Sequence, residues 1–460
     1  MCGMPSGKKS MGEIHLTRGS MWKNLFGFSL PFLLSSFLQT FYGLADLFIV
    51  GQFNGADTIT AVSVGSQIMH MLTVVIVGLA VGTTVSLSHA VGAEKQDRIA
   101  EALGNTLIMS AIFAAVLTGV LVLSVNPVVA AVSTPVEAVS QTKEYLLVCF
   151  LGVPFIVAYN VISSIFRGLG DSKTPMYFVA VAGVINIILD YVLVGPLDMG
   201  AQGAAIATVT SQACSVILAL FVMGKGKNRI KLSLRDCRLK KDTMGVILRV
   251  GLPIACQDGF IQISFLVITA IANGRGVEIA AAVGIVEKMI CFLFLVPSAM
   301  LSSVSAIAAQ NAGAGKHDNG RLVLKYGIGI SVAFGMTAAL ICQFCSGSLV
   351  GLFAKENEEV IRLGAQYFRS YVFDCAAAGI HFCFSGYFCA YNRAVLSFIH
   401  NVLSVLLVRI PGAYLASVYF PDTLYPMGWA PPAGSLLSAL ICILFYVTLR
   451  RRKAFGENKA

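Results

Sequence analysis

Residues 26–50 read FGFSLPFLLSSFLQTFYGLADLFIV. The stretch is long enough to cross a bilayer as a helix. It holds a proline, Pro31, and one carboxylate, Asp46, but no basic residue. An acid inside such a helix is unfavourable in hydrocarbon. It is usually retained for transport, for coupling to an ion or for pairing across a bundle. What surrounds Asp46 therefore decides how the chain is read.

Similar apolar stretches recur along all 460 residues, which are 57% hydrophobic and only 12% charged. A soluble domain carries about a quarter charged residues. The composition therefore points to an all-α polytopic membrane protein. A formal net charge of +10 would suggest a nucleic-acid partner in a soluble protein. Here the charges cluster in loops and tails without interleaved aromatics, so no nucleic acid is expected; the partners implied are membrane lipids and small molecules. Lys8, Lys9, Arg18 and Lys23 precede the first apolar run as in a signal peptide, but the run exceeds a usual h-region and is expected to remain as the first span.

Twelve spans are expected, at about 24–50, 58–88, 99–123, 142–164, 174–195, 201–223, 246–272, 279–309, 321–345, 364–389, 395–419 and 430–449. Alternate loops hold Lys95 and Arg98, Arg167 and Lys173, a basic segment from Lys225 to Lys241, Lys316, Arg321 and Lys325, and Arg393. The opposite loops carry Asp57, Glu137, Asp198, Glu278, Glu358 and Asp422, with Arg275, Lys355 and Arg362 as exceptions. This bias places the basic loops and both termini in the cytoplasm, in a multi-pass protein of the cell's inner membrane.

The basic segment divides the chain into an N-terminal six-helix bundle (residues 1–223), a cytoplasmic linker (224–245) and a C-terminal six-helix bundle (246–460). An internal repeat supports the division. Gly92, Lys95 and Asp97 at the exit of span two recur as Gly313, Lys316 and Asp318 at the exit of span eight. Pro31 and Pro253 match in spans one and seven, as do Phe166 and Phe388 in spans four and ten. Corresponding elements lie six spans apart and so face the same way. The halves are parallel repeats about an axis along the membrane normal, an arrangement that encloses a central cleft and supplies both of its walls from one monomer.

In the first half, Asn186 and Asp190 are four residues apart and share a helix face. Two carboxylates meeting across a dry cleft repel, and a proton or a cation between them relieves the repulsion. Asp46 and Asp190, with Asn186 and Thr208, are thus the candidate coupling site for H⁺, or a Na⁺ site made of the same oxygens. A satisfied polar network that fixes packing is the plainer alternative. The second half is apolar where Asp46 would recur. It offers Gln262 in span seven, Glu287 beside Lys288 in span eight, Asp374 in span ten and Arg409 in span eleven. Candidate substrate contacts are Gln39, on the Asp46 face of span one, with Gln262, Glu287 and Asp374; the acids among these equally suit pairing with a base such as Arg409. Most of the 12 cysteines lie in apolar runs and read as packing residues, Cys342 and Cys345 of an isolated C-x-x-C included.

With these residues in hand, the chain resembles the multidrug and toxic compound extrusion (MATE) family over about residues 20–450. The motifs are Pro31…Asp46…Gly51, Gly92-Ala93-Glu94-Lys95, the run from Phe166 to Pro175, and Asn186-x-x-x-Asp190. The resemblance implies a V-shaped pair of six-helix bundles that exports amphipathic, often cationic compounds in exchange for H⁺ or Na⁺, with no other cofactor. In the DNA-damage-inducible-like branch the first-half acids map onto Asp46 and Asp190, with Asn186 and Thr208 beside them. Glu287 and the Lys316-His317-Asp318 exit look more like a staphylococcal drug-efflux branch. A flippase for lipid-linked precursors, from a related fold, is the rival reading and requires a strongly cationic cleft. A membrane enzyme is disfavoured, because His70, His89, His381 and His400 are scattered without ligand spacing.

Overall fold

The computed structural model describes residues 16–132, 134–225, 240–354 and 357–452. Among these, eleven helices are long and apolar enough to cross a membrane, and a bent helix pair supplies a twelfth span. In order they are Met21–Phe53, Ala56–Gly92, Gln96–Leu123, the pair Val136–Leu151 and Val153–Gly168, Lys173–Val194, Gly200–Gly224, Lys241–Asn273, Val277–Gly313, His317–Gly351, Glu358–Ala390, Val395–Tyr419 and Tyr425–Arg451. They are called spans one to twelve below. Most of the expected linker, with its basic residues from Lys227 to Arg238, falls outside the described residues, as do Lys8, Lys9 and Lys355.

The helices overrun the expected limits because polar flanking residues extend them beyond the apolar core. Span one starts at Met21 and passes unbroken through Pro31, and span seven likewise through Pro253. Span four, expected as one helix, bends by 47° where Gly152 interrupts it and Pro154 opens the next segment. Span ten breaks at the equivalent place in its half, after Tyr371, and resumes at Asp374. Span eleven contains a π-helical turn, Val405–Arg409. The turn ends at Arg409.

One expected loop charge is corrected. Arg167 lies within the last turn of span four and is buried, because the helix runs past the apolar segment to Gly168. The chain reverses only at Gly170, whose φ of +94° favours a residue without Cβ. Asp171 then accepts the backbone N–H groups of Lys173 and Thr174, at 2.9 and 3.0 Å, to start span five.

The two halves meet along span two, which packs most extensively against span seven and also against span eight. The seam is bare backbone. A Cβ on Gly82 would strike the Ile247 carbonyl, and one on Gly251 the Leu79 carbonyl. The repeat-related glycines Gly92 and Gly313 likewise sit against Gln310 and His89. All these contacts lie toward the end of the molecule that carries the basic loops. A hydrophobic core shared by both halves lies there too, joining Leu25, Phe28, Val81 and Val85 to Val250, Ile254 and Ile307. Toward the opposite end the cores are separate. Val50, Ala61 and Val194 belong to one, and Ile268, Ala272 and Ala282 to another. Two bundles joined at one end and independent at the other make a V.

Polar bonds reinforce the joined end. His89 Nε2 lies 2.6 Å from the Ala390 carbonyl oxygen, Gln310 donates to the Gly168 carbonyl at 3.2 Å, and Lys240 reaches Glu101 at 2.8 Å. Thr243 also bonds Glu101. The segment before span one lies across this end: the Leu16 N–H donates to Gln310 and the Lys316 ammonium to the Thr17 carbonyl.

Candidate functional site

Span one packs along span five, and this brings Asp46 to the face that carries Asn186 and Asp190. Asp46 is 4% exposed and Asp190 is fully buried, as is Asn186 to within 1%. The two carboxyl groups interact, with Asn186 beside Asp190. None of these contacts has the geometry of a formed hydrogen bond. Asp46 Oδ1, both Asp190 oxygens and both polar atoms of the Asn186 amide are buried without a partner. No ion pair reaches either acid among the described residues. Paired carboxylates with unfilled acceptor capacity and no ion-pair partner among the described residues can take up a proton or a hard cation.

Two residues that sequence reasoning missed complete the surroundings. Tyr145 and Cys149, one turn apart on span four, lie close to Asp46. The Tyr145 ring fits there because Gly65 on span two leaves the space; a Cβ at that position would overlap it. The spacing of Tyr145 and Cys149 marks a shared face, but nothing in the sequence aims that face at Asp46. Thr208 is half-buried on span six, and its carbonyl accepts from Ser211 at 2.8 Å. Gln39 is directed toward Tyr159, together with Ser35, nearer the joined end.

The second half is built differently. Arg409 donates to Asp374 at 2.6 Å, and the two side chains are 6% and 0% exposed. The guanidinium also lies 5.5 Å from the centroid of the Phe265 ring. Asp374, a candidate substrate contact, is thus bound to a permanent cation, although its Oδ1 keeps no partner. Glu287 accepts from Thr269 at 2.8 Å through Oε2, while Oε1 is buried and unpaired. Lys288 points outward and does not pair with it. The hydroxyls of Tyr367 and Tyr371, neighbours of this group, also lack partners. Gln262 is half-buried on span seven.

A helical membrane chain duplicated into two halves, joined at one end and holding an uncompensated acid pair inside one half, defines a transporter rather than an enzyme. The model of the MatE family matches residues 31–192 and 253–415, two segments that begin at the paired prolines. The chain belongs to that family of multidrug efflux transporters. It is 24% identical over 444 residues to the probable multidrug resistance protein YoeA of Bacillus subtilis, covering 95% of this chain and 96% of that one. It is also 24% identical over 432 residues to an FAD transporter of Shewanella oneidensis, covering 93% and 94%. Among solved structures, an outward-facing MATE transporter superposes with a TM-score of 0.90 at 21% identity, over 98% of this chain and all of that one.

Proposed function

We propose that the protein is a secondary antiporter that exports amphipathic, chiefly cationic compounds across the cell's inner membrane, driven by the return of H⁺ or Na⁺. The observation that carries this reading is the buried, mutually facing pair Asp46 and Asp190, which has no base to neutralise it. Ion entry removes the repulsion between the acids and lets the first half repack; cargo binding favours the opposite packing. The two ligands therefore compete through the conformational equilibrium without sharing atoms.

The charge bias of the loops supports a cytoplasmic position for the joined end and both termini. The V then opens outward, and inward opening requires the glycine seam to part. The same face of Glu287, with one oxygen unpaired, is available to a cationic cargo. One relative bears the name of a drug-resistance protein and another that of an FAD transporter, so cargo class is set by the residues of this chain rather than by family membership. The flippase alternative needs a cationic interior. It is weakened because only two arginines, Arg167 and Arg409, are buried among the described residues, and Arg409 is neutralised by Asp374; one uncompensated base falls short of a strongly cationic cleft.

Counterflow of a fluorescent cation in proteoliposomes, under imposed pH and Na⁺ gradients applied separately, tests this reading. One gradient is expected to drive accumulation and the other to leave it at the passive level. Equal indifference to both would sink ion coupling.

A further inference from the structure

The interior of the N-terminal half holds a second unusual charge, at the end opposite Asp46. Arg167 is only 8% exposed, and its guanidinium lies 5.1 Å from the centroid of the Phe32 ring on span one. It forms no ion pair and donates no hydrogen bond among the described residues, and its Nε is buried without a partner. A guanidinium stays charged and presents five donors, and no protein group among the described residues takes any of them at this end of the bundle.

Each local group that would ordinarily satisfy it is already engaged. Asp171, four residues on, caps span five through Lys173, Thr174 and the Thr174 hydroxyl. The Gly168 carbonyl accepts from Ser88 and Gln310, and the Ser164 carbonyl from Thr84. The carbonyls of Ile165, Phe166 and Arg167 accept from the backbone of the following turn. A cation near a helix C-terminus gains from the dipole, but that attraction fills none of the five donors. Around the guanidinium stand the Phe32 face and Tyr159, and the buried Ser163 hydroxyl adjoins Tyr159. The acids Asp46 and Asp190 do not neutralise it. Phe32 and Asp46 are fourteen residues apart on one helix, roughly 20 Å at the α-helical rise.

We infer that Arg167, with Phe32, Tyr159 and Ser163, forms an anion subsite in the N-terminal half, which receives a carboxylate, sulfonate or phosphate group carried on an aromatic or apolar body. The inference rests on the transport reading and deepens it. Acids at one end of this interior and a bare guanidinium at the other suit amphipathic cargo with an anionic group as well as simple cations. The planar fork matches such oxyanions with two parallel bonds, and the half-buried Phe32 ring lies beside it for the attached body.

The test uses the full-length protein in nanodiscs and a matched dye pair, rhodamine 110, which has a free carboxylate, and rhodamine 123, its methyl ester. Fluorescence anisotropy gives the two affinities for the wild type, Arg167→Gln and Arg167→Lys. The wild type is expected to bind the carboxylate form about tenfold more tightly relative to its ester than Arg167→Gln does. Arg167→Lys, which keeps the charge but loses the fork, should fall between and serves as the folded control. An unchanged ratio across the three proteins would overturn the anion subsite while leaving transport intact. Binding of neither dye by the wild type would instead bring down the transport reading on which it rests. The measurement is repeated in phosphatidylcholine alone and with phosphatidylglycerol added. If the anionic lipid alone abolishes the Arg167-dependent preference, the subsite stands and its occupant is a lipid headgroup; a preference unaffected by lipid assigns it to the cargo.

Discussion

The two halves share a backbone plan but not an electrostatic one. In the C-terminal half the buried charges Asp374 and Arg409 face each other at 2.6 Å and cancel. In the N-terminal half Asp46 and Asp190 face each other with the same sign, and Arg167 stands apart from both. The halves share the matched prolines, the breaks in spans four and ten and the glycines of the seam, but the C-terminal half closes a circuit between Asp374 and Arg409, with Glu287 outside any ion pair among the described residues, whereas the N-terminal half leaves Asp46, Asp190 and Arg167 open. A neutralised pair fixes packing. An uncompensated one keeps acceptor capacity to spare.

The sharpest way to break this contrast is Asp46→Asn. Loss of ion-driven export by about 100-fold or more is expected, with membrane-inserted, monodisperse protein retained, as for removal of a group made essential by a coupled step. Proteoliposome flux and size-exclusion profiles measure the two effects, and normal flux would place Asp46 among the structural residues. Arg409→Leu should do the reverse. It leaves the Asp374 carboxylate buried and alone, a loss of about 3–5 kcal/mol, whereas the double variant Asp374→Leu/Arg409→Leu should recover most of it. Thermal unfolding in detergent reads the difference; equal stability of the single and double variants would show that the pair is not a closed circuit.

Asp190→Asn is the next smaller effect. It should shift the pH or Na⁺ concentration for half-maximal efflux while flux persists, because one carboxylate no longer opposes the other. A flux curve that does not move would assign Asp190 to packing. Glu287→Gln should weaken export of cationic dyes by about three- to tenfold more than that of neutral ones, the scale of one exposed or half-buried charge contact. Equal losses for both dye classes would remove Glu287 from the cargo path.

Much of this was legible in the chain itself. Apolar run length revealed the spans, and the recurrence of Gly92, Lys95 and Asp97 as Gly313, Lys316 and Asp318 revealed the duplication. The acid pair was legible because a carboxylate in an apolar run is rare enough to stand out, and because Asn186 and Asp190 share a helix face. What escaped were contacts between residues distant in sequence. Nothing in the spacing of Tyr145 and Cys149 aims them at Asp46. Arg167 was read as a loop charge because hydropathy ends at Phe166, whereas the helix ends where Gly170 can adopt a positive φ. Hydropathy reports where lipid stops; backbone geometry decides where the helix does.

The seam between Gly82 and Gly251, and between Gly92 and Gly313, has a further consequence. Surfaces without side chains have no rotamers to reorder each time they part and rejoin. A door hung on bare backbone can close to the same fit on every cycle, and for the same reason it has no room to accept a single added methyl group.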